Sequence, residues 1–260
     1  MTRFGLFAKA STLLVRGYFR TLKPETQNPQ LKTWLCAELP AIQYRDALDL
    51  QHRLVAARKE RVIDSDIILL LEHPPVFTLG RRGGEKNLIV SGAFLEESKI
   101  PVIRVERGGD ITFHGPGQLV VYPILDLKEV GLSVVDYVTG LEEIMIRTAG
   151  DWGITAERNP INRGIWVGNN KLGSVGIAIR RGVSFHGFAF NVNLSLKHFK
   201  WINPCGLQRV GVTSMERELS HSIPMNQVYK AVKNHIEAVF RVELVNINLS
   251  ELQNLLKSPA

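Results

Sequence analysis

One of the two cysteines in the sequence stands in a setting that suits a nucleophile. Cys205 lies between Pro204, which stiffens the approaching backbone, and Gly206, which lets the main chain come close to a ligand. A cysteine attacks a carbonyl group as its thiolate rather than as its thiol, so such a cysteine needs a neighbour that lowers its pKa. The basic side chains upstream that suit this task are Lys171, His114 and His186. Because buried cysteines commonly serve packing alone, Cys205 by itself is also compatible with a packing role.

Two further segments contain residue types that favour a ligand site. Residues 107–118, RGGDITFHGPGQ, contain four glycines and a proline between strand-like flanks, which predicts a loop. Residues 171–176, KLGSVG, are predicted to begin a strand whose small side chains leave space beside it. If the fold brings both segments and Cys205 together, that space is suited to holding a ligand.

The composition is that of an ordinary globular chain, with 45% hydrophobic and 22% charged residues. The sequence has no apolar run long enough to predict a membrane-spanning helix. Of the net charge of +7, residues 1–32 carry +5, which leaves +2 for the rest of the chain. A body so close to neutral lacks the basic footprint of nucleic-acid-binding proteins. We therefore expect neither nucleic acid nor a membrane as a partner.

The N-terminal segment and the cysteine count bear on the compartment. The first 24 residues contain no acidic residue and mix basic with apolar side chains, as organelle transit peptides do. A dispensable basic tail is the alternative that we favour. Two cysteines are too few for a disulfide framework, which points to a reducing compartment. We expect a cytoplasmic protein, or a protein of the mitochondrial matrix if residues 1–30 are a transit peptide.

Hydrophobic periodicity predicts an α/β (α+β) fold with several hairpins rather than regular βαβ alternation. The predicted helices cover residues 41–62, 134–148 and 224–239. The predicted strands are residues 33–39, 67–71, 101–106, 119–124, 164–168, 171–179 and 185–192, and His73-Pro74-Pro75 must take the chain out of its sheet. We predict a basic, flexible extension over residues 1–30, a single catalytic domain over 31–250 and a tail over 251–260.

Taken together, these segments resemble the lipoyl (octanoyl) transferase family of lipoate biosynthesis. The stretches that carry the resemblance are RGGDITFHGPGQ (107–118), GIWV (164–167), KLGSVG (171–176), SFHGFA (184–189), NPCG (203–206) and VTS (212–214). The match covers nearly all of residues 33–245, and the common order of the motifs makes it specific. The resemblance implies the fold of the biotin and lipoate protein ligase catalytic domain, in which helices pack on mixed β-sheets.

The resemblance also implies the reaction, the first step of endogenous protein lipoylation. An octanoyl group passes from octanoyl-acyl carrier protein to a specific lysine of a lipoyl domain, either in a 2-oxoacid dehydrogenase E2 subunit or in the glycine-cleavage H protein. Cys205 matches the nucleophile that carries the thioester, and Lys171 matches the lysine paired with it. The implied substrate contacts are Arg107, Gly108, Gly109, Asp110, Ile111, Thr112, Phe113, His114, Ser174, Val175, Gly176, Gly187, Phe188 and Ala189.

Elementary chemistry gives these residues candidate roles. A cationic Lys171 close to Cys205 favours the thiolate, and it can shuttle protons while the incoming lysine amine is deprotonated. His114 either orients this pair, hydrogen-bonds the acyl carbonyl or is a satisfied structural histidine, and His186 has the same alternatives. Backbone N–H groups at Gly108, Gly109, Gly187 or residues 173–176 are the expected donors to an oxyanion. Exchange between two thioesters is nearly isoenergetic, so we expect no cofactor.

Three other interpretations remain open from the sequence. An ATP-dependent lipoate or biotin-type protein ligase has the same expected fold, but it needs ATP and magnesium and does not need Cys205. A cysteine hydrolase pairs Cys205 with His114 or His186 and releases free acid. A non-catalytic binding module uses the basic N-terminus to hold an acidic partner. The seven histidines do not show the spacing of a zinc site, so we expect no metal.

The partners implied by the resemblance are usually acidic proteins. Two basic pairs, Arg81-Arg82 in a predicted loop and Arg180-Arg181 in a predicted turn, are therefore the predicted docking contacts for them.

Overall fold

Two β-sheets form the framework of residues 31–159, 162–203 and 211–257, the part of the chain that the computed structural model describes. The strands are β1 (Lys32–Glu38), β2 (Ile67–Leu71), β3 (Val76–Leu79), β4 (Val102–Arg104), β5 (Ile111–His114), β6 (Gln118–Ile124), β7 (Glu157–Arg158), β8 (Gly164–Val167), β9 (Asn170–Arg180), β10 (Val183–Asn191), β11 (Gly211–Val212) and β12 (Val242–Asn246). The helices are α1 (Tyr44–Lys59), α2 (Gly92–Glu97), α3 (Leu127–Val130), α4 (Val134–Asp151), α5 (Met215–Leu219), α6 (Met225–Phe240) and α7 (Leu249–Leu255), with 3₁₀ turns at Glu85–Asn87 and Leu196–Trp201. This order confirms the predicted α/β (α+β) fold.

The larger sheet has the strand order β12-β1-β2-β6-β10-β9-β8-β7, and β11 pairs with β9. Strands β12, β1 and β2 are parallel, whereas every pair from β2 to β7 along this order is antiparallel. The predicted hairpin of residues 164–168 and 171–179 is confirmed as β8 and β9. The sheet is therefore mixed, with its hairpins on the side that carries the glycine-rich strand β9.

Both faces of the larger sheet are covered by helices, and successive side chains of its central strands are buried on opposite faces. In β2, Ile68 and Leu70 join the cluster that contains α4 and α6, whereas Ile67, Leu69 and Leu71 join the cluster that contains α1 and α7. Successive strand residues point to opposite faces, so a strand that is apolar throughout must be covered on both. This burial holds the strands that carry the site in place.

The smaller sheet, β4-β3-β5, arises where the predicted loop proves to be partly extended. As predicted, residues 73–75 take the chain out of the larger sheet, and β3 begins at Val76 in the smaller one. The expectation of a loop throughout residues 107–118 is wrong, because Ile111–His114 form β5 and pair with β3. Ile111 and Phe113 are buried on one face, and that alternation stabilises the strand.

Helix α1 is shorter than the predicted residues 41–62. The backbone N–H of Ile42 donates to the carbonyl of Glu72 at 3.2 Å, which ties this residue to the end of β2, and the helix begins at Tyr44. At the other end, Arg61 has a φ of 57°, so the helical path stops before it. Tertiary contacts and local backbone geometry, rather than hydrophobic period, therefore set both ends.

The packed unit extends beyond the predicted boundary at residue 250. Residues 251–255 of the predicted tail lie in α7, and Leu252 is buried against the face of the sheet that α1 covers. Asn248 and Glu251 form a capping box that starts this helix. The predicted extension over residues 1–30 lies outside the described residues. None of the described helices is long and apolar enough to cross a membrane.

Candidate active site

A cavity of about 580 Å³ lies beside the hairpin side of the larger sheet, a volume within the range of small-molecule sites. Its walls come from β9, β10, β6 and the segment that leads into β5. The predicted site residues that line it are Lys171, His114, Arg107, Gly108, Gly109, Asp110, Ile111, Thr112, Ser174, Val175, Gly176, Gly187, Phe188 and Ala189. The fold thus brings together segments that are far apart in the sequence.

Phe113 is the predicted site residue, among those that the structure describes, that does not line this wall. The Phe113 side chain is buried under the smaller sheet and stacks on His198, with ring centroids 4.3 Å apart. Cys205 lies outside the described residues. Cys36, in β1, is buried, and desolvation raises the pKa of its thiol to about 12. Cys36 is therefore inert as a nucleophile, and Cys205 stays the candidate.

Lys171 is held near one end of the cavity by an amide. Its Nζ donates a hydrogen bond of 2.6 Å to Oδ1 of Asn162 and lies 5.3 Å from the ring centroid of Trp166. Gly164 makes room for this side chain, because a Cβ at that position would lie 2.8 Å from Lys171 Cε and 2.2 Å from the carbonyl oxygen of Gly173. The φ of 126° at Gly164 also favours glycine.

The described chain on both sides of the Cys205 segment is anchored to the site region. Before this segment, the N–H of Asn203 donates to the carbonyl of Asn87 at 2.8 Å. After it, Gly211 and Val212 pair with Asn170 and Lys171 as the parallel strand β11. The N–H of Thr213 then donates to the carbonyl of Lys171 at 3.0 Å. The chain therefore returns directly to the strand that carries Lys171.

His114 lies in a buried hydrogen-bond chain that settles its tautomer. Gln118 Nε2 donates to Asn191 Oδ1 at 2.8 Å, so the Gln118 Oε1, 2.7 Å from His114 Nδ1, must accept from that nitrogen. Asn191 in turn donates to the carbonyl of Thr213 at 3.0 Å. Burial, then the nearby His73 and Arg107, lower the pKa of His114 well below its usual value. His114 is thus neutral, carries its proton on Nδ1 and is tied to the segment beside Lys171.

A second buried chain stands behind the cavity wall. His73 Nδ1 lies 2.8 Å from the carbonyl oxygen of Ile42, which can only accept, so Nδ1 carries the proton. Burial lowers the pKa of His73 to about 4, so the ring is neutral and its Nε2 accepts from the Tyr122 hydroxyl at 2.7 Å. Tyr122 and Tyr44 both line the cavity. This chain fixes the orientation of the Tyr122 side chain.

The glycine-rich segment is bound to both sheets by its backbone and by Arg107. Arg107 donates to the carbonyl and the hydroxyl of Thr78, each at 2.7 Å. The N–H of Gly108 donates to the carbonyl of Ile177 at 2.8 Å, so this predicted oxyanion donor is already used. Asp110 accepts from the side-chain amide of Asn87 at 2.5 Å. The segment is therefore a fixed wall.

His186 is the most unusual residue of the wall. It is 1% exposed, and its φ of 55° lies in the left-handed region although it stands within β10. Such a conformation costs about 1–3 kcal/mol and persists only where the surroundings impose it. The side chain of Gln51 accepts from its backbone N–H at 2.8 Å. Burial, then Arg107 and His52, lower the pKa of His186 to about 3, so the ring is neutral.

Glycine at 187 is required by packing against β6. A Cβ at Gly187 would lie 2.2 Å from the carbonyl oxygen of Val121 and 2.6 Å from Pro123 Cδ. A substitution would therefore separate β10 from β6. This position shapes the cavity through close backbone approach, in addition to lining it.

Two arginines other than Arg107 line the cavity. Arg82 is exposed and lines the cavity, and the N–H of Arg82 donates to the carbonyl of Gly109 at 3.1 Å. Arg163 also lines it and pairs with the buried carboxylate of Glu142 at 3.0 Å, which accepts from the N–H of Gly164 at 2.8 Å. Arg180 is partly neutralised by Glu106 at 2.7 Å. Among the predicted docking pairs, Arg81-Arg82 is thus the one that contributes a residue to the cavity wall.

Several wall residues escaped prediction from the sequence, namely Tyr44, Tyr122, Asn162 and Asn191. Asn162 lies two residues after Pro160 in a segment with no distinctive pattern, and the tyrosines fit an ordinary helix and strand face. Only their position relative to distant segments identifies them. No cluster of metal-ligating side chains occurs within the described ranges.

Comparisons with known proteins agree with the geometry. The sequence model of the lipoyl protein ligase A/B catalytic domain matches residues 43–237. The curated octanoyltransferase of Desulfotalea psychrophila is 49% identical over 205 residues, which cover 78% of this chain and 92% of that protein. The octanoyltransferase of Syntrophobacter fumaroxidans is 46% identical over 218 residues, covering 84% of this chain and 95% of that protein.

Solved structures show the same fold. A crystal structure of lipoate-protein ligase A bound with ATP superposes with a TM-score of 0.68 at 14% identity, covering 88% of this chain and 93% of the other. The bipartite lipoate protein ligase of Thermoplasma acidophilum gives a TM-score of 0.66 at 14% identity, covering 87% and 91%. The predicted likeness to the lipoate protein ligase fold is thereby confirmed.

Proposed function

This chain belongs to the lipoyl protein ligase A/B catalytic domain family, and we propose that it is an octanoyltransferase that works through a thioester on Cys205. The acyl donor is octanoyl-acyl carrier protein. The acceptors are lysines on the lipoyl domains of 2-oxoacid dehydrogenase E2 subunits and on the glycine-cleavage H protein. The observation that carries the proposal is the cavity, which is lined by Lys171 together with residues of the predicted segments 107–114, 174–176 and 187–189.

The reaction has two balanced acyl transfers. In the first, the Cys205 thiolate attacks the thioester carbonyl of the donor, a new C–S bond forms, and the carrier thiol leaves with a proton. In the second, the acceptor amine attacks the enzyme thioester, a C–N bond forms, and the Cys205 thiol is released. Because two thioesters have similar free energies, the first transfer needs no ATP.

Lys171 is the proposed acid–base residue of both transfers. An ammonium near Cys205 stabilises the thiolate, and the same group exchanges a proton with the carrier thiol and with the incoming amine. The hydrogen bond that its Nζ donates to Asn162 and the room left at Gly164 support a fixed position for this amine. The pairing of Lys171 with Val212, seven residues after Cys205, supports placing the thiol beside this amine.

His114 is a positioning residue in this proposal rather than the base. Its Nδ1 donates to Gln118, its Nε2 faces the hydroxyl of Thr78 at 3.4 Å, and its pKa lies well below neutral. These contacts support the structural alternative over a cysteine hydrolase that uses His114. Through Gln118 and Asn191 it orders the segment that adjoins Lys171.

We place the enzyme in the cytoplasm, where its proposed carrier and acceptors are made in bacteria such as those of its curated relatives. Acidic carriers dock at Arg81-Arg82, because this pair is exposed and Arg82 reaches the cavity. The second predicted pair is less suited, since Arg180 is occupied by Glu106.

The decisive test is the intact mass of the purified protein after incubation with octanoyl-acyl carrier protein in the absence of ATP. We expect an octanoyl adduct on the wild type that is absent from Cys205→Ala and passes to a lipoyl domain. Lys171→Ala slows both steps. Acylation of the acceptor only when free octanoate, ATP and magnesium are supplied would instead identify an ATP-dependent ligase. Release of free octanoate without acceptor acylation would identify a hydrolase.

A further inference from the structure

The cavity extends well past Lys171 along the β9–β10 pair. Lys171 Cε lies beside Gly164, and Gly164 is paired with Ser174, so the reactive end of the cavity is at the level of Ser174. Ser174 is in turn opposite Ala189 in β10. From this level the cavity wall continues through Val175 and Gly176 to Ile177.

The distance to the far end corresponds to an eight-carbon chain. Ile177 is opposite His186, three residues along the strands from the pair formed by Ser174 and Ala189. Three residues of antiparallel strand span about 10 Å, which is close to the length of an extended octanoyl group. A chain whose carbonyl is near the Lys171 amine therefore ends near His186.

The segment that contains Arg107 covers the cavity at this end. The N–H of Gly108 donates to the carbonyl of Ile177 at 2.8 Å, which ties the segment to β9. A Cβ at Gly176 would lie 3.1 Å from Arg107 Cδ and 3.3 Å from the carbonyl oxygen of Gly108. The wall here is packed, so an acyl chain cannot extend by simple displacement of the cover.

The His186 side chain forms part of the wall at this end. Within the described part of the chain, neither ring nitrogen has a hydrogen-bond partner, and the nearest carboxylate oxygen, of Glu106, is 3.9 Å from Nε2. The side chain is buried and lines the cavity. Both ring nitrogens are inaccessible to a water molecule, so the ring is packed in place and acts here as a fixed part of the wall.

On the basis of the proposed function, we propose that His186 determines the acyl-chain length that the enzyme accepts. The methyl end of an octanoyl group reaches the imidazole without displacing it. A chain with two more carbons collides with the ring, which its buried surroundings hold in place. The left-handed backbone at His186 is the device that directs a large polar ring to this point of the strand.

The test compares kcat/KM for hexanoyl-, octanoyl-, decanoyl- and dodecanoyl-acyl carrier protein. Forcing extra methylene groups against a packed side chain costs about tenfold or more, so we expect the wild type to prefer octanoyl over decanoyl by at least about that factor. In His186→Ala the ratio of octanoyl to decanoyl falls by about tenfold or reverses. His186→Asn is the second variant, because asparagine tolerates the left-handed backbone and is shorter than histidine. It too shifts the preference towards longer chains.

His198→Ala is the matched control. His198 is also a buried histidine with an unpartnered ring nitrogen among the described residues, but it packs against Phe113 and does not line the cavity. Its removal is expected to lower stability without changing the chain-length ratio.

The assignment of His186 is overturned if the octanoyl-to-decanoyl ratio is unchanged in whichever His186 variant folds, whether or not kcat/KM falls equally for every chain length. A wild type that does not acylate a lipoyl domain from any acyl carrier protein would instead overturn the proposed function. The two failures are therefore distinguishable.

Discussion

Replacement of Asn162 by alanine tests whether the position of the Lys171 amine controls the rate of acyl transfer. Lys171 Nζ donates to Asn162 Oδ1 at 2.6 Å, and the side chain is half-buried. A hydrogen bond from a charged donor contributes about 1.5–3 kcal/mol, which corresponds to about 10- to 150-fold in a rate that depends on it. Because the Trp166 ring still contacts the amine, we expect the lower part of that range.

The assay is rapid quench followed by intact mass, under single-turnover conditions, for both half-reactions. Since Asn162 holds Lys171 and not the carrier, kcat for each transfer falls while KM for octanoyl-acyl carrier protein changes little. Asn162→Asp retains an oxygen acceptor at the same place and is expected to recover much of the rate. Asn169→Ala, in the exposed turn between β8 and β9, is the matched control and leaves both rates unchanged.

Two results would refute this reasoning. Asn162→Ala with both rates within twofold of the wild type would mean that the hydrogen bond does not control the amine. A rise in KM with kcat unchanged would mean that Asn162 acts on substrate binding instead.

Two further predictions concern stability and docking. Burial lowers the pKa of His73 to about 4, of His186 to about 3 and of His114 well below its usual value, and each returns to about 6.5 on unfolding. The unfolded state thus binds more protons than the folded state below about pH 6.5. The free energy of unfolding is therefore full above about pH 6.5 and falls towards pH 4 by up to about 4 kcal/mol per pH unit. Urea unfolding that gives the same free energy of unfolding at pH 7 and at pH 5 would contradict this. Replacement of Arg81 and Arg82 by glutamate is expected to raise KM for octanoyl-acyl carrier protein and to reduce the salt dependence of this KM. The control is Arg53→Glu, at an exposed site on α1, which changes neither. The same KM in the wild type and in the Arg81 and Arg82 variant would exclude docking at this pair.

Local sequence patterns were sufficient to predict the helices and strands in which the spacing of apolar residues matches the residues that are buried. Residues 67–71 are apolar without interruption, and this run is the buried central strand β2. The Asn169-Asn170 turn between two extended runs predicted the β8–β9 hairpin, because asparagine suits tight turns. In α4, the apolar face from Val138 to Met145 defines the helix, and the Ser133 side chain accepts from the N–H of Asp136 at 3.1 Å to start it.

Elements that depend on distant partners were missed or misplaced. Strand β5 lies in a segment whose glycines favour a loop, and it is extended because it pairs with β3, more than thirty residues away. Helix α7 was assigned to a tail because its short apolar face is stabilised only against the sheet. The N-terminal limit of α1 follows from the hydrogen bond of Ile42 to Glu72, which no local pattern encodes.

The sequence by itself determined the family, the mixed α/β fold and the motif residues that line the cavity, because these depend on residue types at short spacing. The tertiary structure decided which side chains act on one another. The Asn162 amide against Lys171, the buried chain through His114, and the position of His186 one acyl length from the amine all join segments that are remote along the chain. Contacts of this kind arise from the packing of strands and helices that are distant in the sequence, so no local sequence pattern predicts them.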